Sequence, residues 1–258
     1  MPGNLSAFVL LVTVFILVLL SFWYQRKGNP IGIRKIAGLD AIDQAVGRAT
    51  EMGKPVHFTT GAVATLQGGV EGAQILAGLT ILSHIAGLTA KYKTPLIVTV
   101  NQPQSLPLTE QIVREAYMKA GHPEDFKENM VRHLSAEQMA YVAAVCGIFI
   151  REQVAANFMI GPLYAETLPI AETGFRVGAM QVGGAADKML QLPMVIAVCD
   201  YALIGGEIFA AGAYISKEPD LLATILAEDI TKIGLIGLFL IGTIITLFGN
   251  VFLDFLKM

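Results

Sequence analysis

PVHFTTGAVATLQGGVEGAQILAGLTILSHIAGLTAKYKTPLIVTV, residues 55–100, decides the architecture of this chain. Its opening, PVHFTT, is rich in β-branched and aromatic side chains and has strand character. A glycine-bearing loop over residues 61–72 follows, and then a helix whose Ile75, Leu79, Leu82 and Ala86 recur on one face. Lys91 and Lys93 suit the carboxyl end of that helix, where cations meet its dipole, and Pro95 starts a second strand over residues 96–100. Two strands joined by a helix imply a right-handed parallel crossover. The fold class is therefore α/β, with a Rossmann-like parallel sheet.

Outward from this unit the pattern repeats. Upstream, Asp40 reads as an N-cap, Ile42, Ala45, Val46, Ala49 and Met52 recur at helical spacing, and Gly53 stands where a helix-ending glycine belongs. Downstream, Pro107 enters a helix with Glu110 four residues before Arg114 and Glu115 four before Lys119, pairs that mark a solvated face. The charged piece through Lys127 and Glu128 reads as a surface excursion, and Ser135 with Gln138 as a capping box before a helix over residues 139–150. Strands are expected at 155–160, 179–182 and 194–199, and helices at 163–177, kinked at Pro169, at 185–190 and at 202–215. The run 192–215 is long enough to cross a membrane. That reading is set aside because it would place Asp200 and Glu207 in lipid, at about 2.5–3.5 kcal/mol each on insertion scales.

The composition demands membrane segments elsewhere. Of 258 residues, 54% are hydrophobic and only 15% charged, with a mean hydropathy of +0.59, well above an average soluble domain. Residues 5–24 form an apolar run without an ionisable group, matching in length a helix that crosses a bilayer. Residues 233–253 form a second, whose Gly234, Gly242, Thr246 and Gly249 make a small-residue stripe suited to close helix approach. Arg26, Lys27, Arg34 and Lys35 follow the first run, so the positive-inside rule puts the main domain in the cytoplasm and both termini outside. The division expected is an anchor over 1–27, an α/β domain over 28–230 and a second anchor over 231–258, in the cell membrane, with membrane lipid as a partner. A net charge of -3 with no dense basic cluster in the domain excludes nucleic acid as a partner. Cys146 and Cys199 lack paired spacing and read as buried reduced thiols, and no metal site is indicated.

Chemistry-bearing residues collect at expected strand ends. Thr60, Gly61, Gly68, Gly69 and Glu71 lie between the first strand and its helix, where backbone N–H groups would face a ligand and glycines allow close approach. Asn101 follows one strand and Asp200 another, and Gly183-Gly184 reads as a further loop of this kind. In an open parallel sheet such ends line the crevice where ligands bind. The glycine spacing does not match a dinucleotide fingerprint, and no GK[ST] follows, so neither a catalytic residue nor a cofactor can be assigned. Glu71 at a helix start favours a neutral or cationic ligand over an anionic one. His57 in a strand reads as a satisfied core residue; Glu166, Glu172 and Glu207 are expected to pair with Arg151, Arg176 or a helix start.

The run GRATEMGKPVH, residues 47–57, with Asp200-Tyr201 and Gly206-Glu207 before the last apolar run, resembles an uncharacterised family of prokaryotic membrane proteins carrying a domain of unknown function. The resemblance implies the same two-anchor layout and brings no reaction, ligand or catalytic residue with it. The reading that follows is a homo-oligomeric, membrane-anchored assembly or scaffold protein with a Rossmann-like domain and room for a small ligand. The alternative is a membrane-tethered enzyme or ligand-binding module that uses the strand-end crevice.

Overall fold

The computed structural model describes residues 37–62, 69–187, 189–216 and 219–248, together with Phe8, Leu11, Val12, Phe15, Ile16, Leu19 and Trp23 near the amino terminus. The chain divides into two compact units, residues 34–216 and the terminal segments 1–33 with 217–258.

In the first unit, helix α1 (Ala37–Met52) buries Ile42, Ala45, Val46 and Ala49 completely, as their spacing dictates. Gly53, at a φ of 63°, closes it: its N–H donates to Thr50 O while that of Lys54 reaches Ala49 O, both at 3.1 Å. This left-handed turn is cheap only for glycine. The helix begins before Asp40, which lies in its first turn and not at the cap.

Six strands follow in one sheet: β1 (Val56–Thr59), β2 (Leu96–Val100), β3 (Val131–His133), β4 (Ala156–Ile160), β5 (Met180–Ala185) and β6 (Tyr201–Ile204), in the order β3-β2-β1-β4-β5-β6. Every neighbouring pair is parallel. Strands β1, β2 and β4 are buried along their whole length, which explains why they read as near-continuous apolar runs. Helices α1, α2 (Gly69–Tyr92), α3 (Leu106–Lys119) and α7 (Glu207–Ser216) cover one face, packed on Phe58, Val98, Phe158 and Val182. Helices α4 (Gln138–Glu152), α5 (Thr167–Arg176) and α6 (Gln191–Val198) cover the other, where Tyr141, Val145, Phe149 and Ile170 meet Met159. Each such fully buried apolar side chain contributes roughly 1.5–3 kcal/mol. Among the described residues one helix, α2, is long and apolar enough to cross a membrane, and 61% of its most apolar stretch is buried in the domain. It is a core helix of the sheet.

The second unit contributes α8 (Pro219–Phe248), a continuous 30-residue helix with Ile233, Ile236, Phe239 and Leu240 exposed. The expected spans at 5–24 and 233–253 lie in part outside the described residues, as does Gly249 of the stripe.

Several local expectations change. Residues 194–199 are not a strand: 194–198 belong to α6, with Pro193 in its first turn and Cys199 at its carboxyl cap, and the strand is the next run, β6. Short apolar β-branched runs fit a buried helix turn as well as a buried strand, and periodicity alone cannot separate them. Residues 202–215 accordingly split into β6 and α7, and 185–190 is not a helix. Gly183 and Gly184 lie inside β5, where a Cβ on Gly183 would come within 2.5 Å of Val195 and 2.6 Å of the Cys199 sulfur. Pro169 sits in the first turn of α5 and kinks nothing. The charged excursion supplies edge strand β3. Glu137, not Ser135, caps α4, its carboxylate accepting from the N–H groups of Met139 and Ala140.

Candidate functional site

The strand order reverses between β1 and β4, and there the connections leave in opposite directions. At this point the chain brings two glycines together. Gly61, at φ 102°, leaves β1, and a Cβ on it would meet Pro162 O at 2.5 Å; Gly161, at φ 153°, leaves β4, and its Cβ would meet Thr60 O at 2.4 Å. Glycine here is required twice over, by backbone conformation and by contact.

Beside the pair lies Glu166, 1% exposed. Its carboxylate accepts from the Ala62 N–H at 3.0 Å and from the Gln138 side-chain amide at 2.7 Å, tying the β1 loop to the start of α4. Tyr164 donates its hydroxyl to Glu71 in the first turn of α2. That carboxylate, with partial burial second, holds the phenol above its ordinary range. Buried Gln74 accepts from the Ala186 N–H at 3.1 Å, binding α2 to the end of β5.

Because helices run back against parallel strands, the amino termini of α2, α4, α5, α6 and α7 all gather at this carboxyl edge, and each carries an acid. Glu71 and Glu207 lie in first turns, Glu137 and Glu166 at caps, and Asp187 accepts from the N–H groups of Met189 and Leu190 ahead of α6. The positive helix ends are thus already met by carboxylates. Among the described residues of these loops there is no lysine or arginine; Lys188 lies outside them. Among the described residues, two buried polar atoms at this edge have no hydrogen-bond partner: Thr167 Oγ1, in a residue 0% exposed, and Gln191 Oε1, in a residue 1% exposed. Such atoms carry a desolvation penalty of about 1–3 kcal/mol unless something pairs with them.

A second polar system crosses the sheet beneath the crevice, on the face covered by α4. His57 Nδ1 donates to Asn157 Oδ1 at 2.7 Å, and Asn157 Nδ2 donates to Gln181 Oε1 at 2.6 Å. On the other side, Thr99 Oγ1 donates to His57 Nε2 at 2.9 Å, and the Tyr141 hydroxyl lies 2.6 Å from both Thr99 Oγ1 and Thr59 Oγ1. Thr59 Oγ1 in turn accepts from the Gly61 N–H at 3.0 Å. In this arrangement the imidazole is the neutral Nδ1–H tautomer with Nε2 accepting, and the Tyr141 hydroxyl also lies 3.2 Å from the Thr99 carbonyl oxygen. Burial pushes the His57 pKa down to about 4, against the raising effect of Asn157. Burial likewise pushes Tyr141 up to about 12. Phe149 packs edge-on against the imidazole, ring centroids 4.8 Å apart.

Of the residues expected in the crevice, Thr60, Gly61, Gly69, Glu71 and Asn101 lie at the carboxyl edge, and Gly68 lies outside the described residues. Asn101 is 3% exposed and committed to structure, its amide donating to Ser135 O at 2.7 Å. Asp200 is at the opposite edge: it precedes β6, and its carboxylate accepts from the Gln181 N–H at 2.7 Å. The misplacement follows directly from taking α6 for a strand. Tyr164, Thr167 and Gln191 went unread; the signal available was a polar residue opening an otherwise apolar segment. Glu172 pairs with Arg176 at 2.6 Å, and Glu207 accepts from the Ile204 N–H at 2.8 Å.

Sheet order, parallel pairing and helices on both faces define a doubly wound α/β domain of the Rossmann-like class. The chain matches the family described as "Domain of unknown function (DUF6754)" over residues 2–256 and belongs to it. No curated protein and no solved structure matches it.

Proposed function

We propose that this chain is a membrane-tethered ligand-binding module whose site is the carboxyl-edge crevice, and that its ligand is a small neutral or cationic molecule rich in hydrogen-bond donors. The observation that carries this reading is the pair of buried acceptor-capable atoms without partners among the described residues, Gln191 Oε1 and Thr167 Oγ1, on an edge carrying five carboxylates. Phosphate groups are disfavoured there, because the helix starts that would bind them are already occupied by acids. The tether is supported by Phe8, Leu11, Phe15 and Ile16, helical and exposed near the amino terminus, and by exposed Ile233, Ile236, Phe239 and Leu240 on α8, an arrangement suited to lipid. With Arg26, Lys27, Arg34 and Lys35 following the first run, the domain stands in the cytoplasm of a prokaryotic cell.

The test is thermal stability of the full chain in mild detergent against amines, guanidines, sugars, nucleotides and acidic metabolites, since a ligand that binds only the native state raises it. A saturable rise is expected with a neutral or cationic compound and is lost in Gln191→Met. A response confined to nucleotides or acids refutes the ligand class, and no response to any compound refutes the module.

A second reading, a homo-oligomeric assembly protein, is favoured by exposed Leu168, Phe175, Met189, Leu190 and Ile196 on and around α5 and α6. A monomer on native mass spectrometry in mild detergent removes it.

A further inference from the structure

The opposite edge of the sheet holds a second, independent feature. A cleft of about 410 Å³ opens where β2 and β3 begin, between the end of α2 and the turn that follows α3. Its floor is apolar with a polar margin: Leu96, Ile97 and Tyr117 are buried, as are Thr89 and Thr94. Its wall carries Lys93, Lys127 and Arg132 against Asp125 and Glu152. These charges are not equivalent. Arg132 is engaged, its guanidinium 3.8 Å from Glu152 and its Nε donating to Asn129 O at 2.9 Å. Lys93 and Lys127 are exposed, and no carboxylate among the described residues forms an ion pair with either. Lys93 has a φ of 54°, so the backbone turns left-handed at the rim, where the chain leaves α2.

The informative group is Asp125. Its side chain is 40% exposed and lines the cleft; one oxygen, Oδ2, is sealed from solvent with no hydrogen-bond partner among the described residues, 3.9 Å from His122 Nδ1, which itself lies 3.6 Å from Glu124, so it is the other oxygen, Oδ1, that is open to the cleft. A cleft with two unpaired ammonium groups attracts an oxyanion. An acceptor-only carboxylate oxygen in the same cleft repels a fully deprotonated one and welcomes an oxyanion that keeps a proton.

The geometry points to a binding site for a protonated phosphate group, held by Lys93 and Lys127 and read by Asp125 through its P–OH hydrogen. The volume exceeds what a bare phosphate fills, and the Leu96, Ile97 and Tyr117 floor offers apolar contact for an attached organic group. The ligand class is thus phosphate itself or a small phosphomonoester. This site is separate from the carboxyl-edge crevice and stands or falls without it.

The chemistry gives a discriminating test, because sulfate matches phosphate in size and shape but has no proton to donate near neutrality. The full chain in mild detergent at pH 6.5 and constant ionic strength is titrated with inorganic phosphate, sulfate and glycerol phosphate, reading melting temperature and isothermal titration heat. Phosphate is expected to bind saturably and at least tenfold more tightly than sulfate. Lys93→Asn with Lys127→Gln should weaken phosphate at least tenfold, asparagine being tolerant of the left-handed backbone, and Asp125→Asn should erase the preference over sulfate. Tighter binding of glycerol phosphate than of phosphate assigns the phosphomonoester, and the reverse assigns the free ion. Equal affinities for phosphate and sulfate in the unmodified chain, or no saturable heat with either, overturn the proposal even if no variant folds.

Discussion

His57 should make this domain acid-sensitive in a way that one substitution removes. The imidazole is fully buried, and its pKa falls from 6.5 to about 4 on folding. Between those values the unfolded chain binds a proton that the folded chain refuses, so stability rises with pH across the window and is lost as pH falls through it. At about 1.4 kcal/mol per pH unit, the loss reaches about 2 kcal/mol at pH 5 and about 3 kcal/mol by pH 4. The structural origin is directional. Protonation puts a hydrogen on Nε2, opposite Thr99 Oγ1, which already points its own hydrogen there, so Thr99 must turn toward Tyr141, whose hydrogen then goes to Thr59 Oγ1 or to the Thr99 carbonyl. His57→Gln keeps a donor and an acceptor but does not titrate. Urea unfolding of the full chain in mild detergent, followed by circular dichroism from pH 7 to pH 4, should show the two proteins diverging below pH 6.5, the unmodified chain falling faster. Parallel curves would mean that His57 is protonated in the folded state or exposed to water, and the hydrogen-bond assignment would be wrong.

Three further expectations concern the crevice and the tether. Gly61→Ala places a methyl group 2.5 Å from Pro162 O at a φ of 102°, and should lower stability by about 2 kcal/mol or more, read as a fall in melting temperature; an unchanged value refutes the close approach. Gln191→Met removes a buried acceptor oxygen without a partner among the described residues together with the amide's hydrogen bond to Tyr164, so stability should change by less than about 1 kcal/mol while the ligand response is abolished; a response retained in the variant refutes the assignment of Gln191 to the site. In a chain with Cys146 and Cys199 replaced, a membrane-impermeant thiol reagent applied to intact cells should label single cysteines at Gly3 or Lys257 and miss one at Glu124, and labelling at Glu124 reverses the orientation.

The β-α-β unit over residues 55–100 was legible because its signals are local. The strands are short and bounded, α2 repeats at helical spacing, and the lysines near its end complement the dipole. Gly53 was legible for the same reason, since a left-handed helix end is a property of one residue. The reading failed where two structures satisfy the same local pattern. Residues 194–199 are apolar and β-branched in either state, and only their packing between β5 and α5 makes them a helix turn. That single exchange moved Asp200 from one edge of the sheet to the other.

What the sequence by itself determined is the alternation of strand and helix, hence the parallel sheet, and the apolar termini, because both follow from the periodicity and length of contiguous runs. What only the tertiary structure decided is which distant residues meet: the strand order that sets Gly61 against Gly161, the reach of Tyr164 to Glu71, and the hydrogen-bond chain from Thr59 through His57 to Gln181. His57 and Asn157 lie a hundred residues apart and touch because β1 and β4 pair in register at those two positions. Period-two alternation shows that a polar side chain faces one side of a strand. It does not show whether water, a ligand or another buried polar group will be waiting there, since that depends on long-range pairing no local window contains.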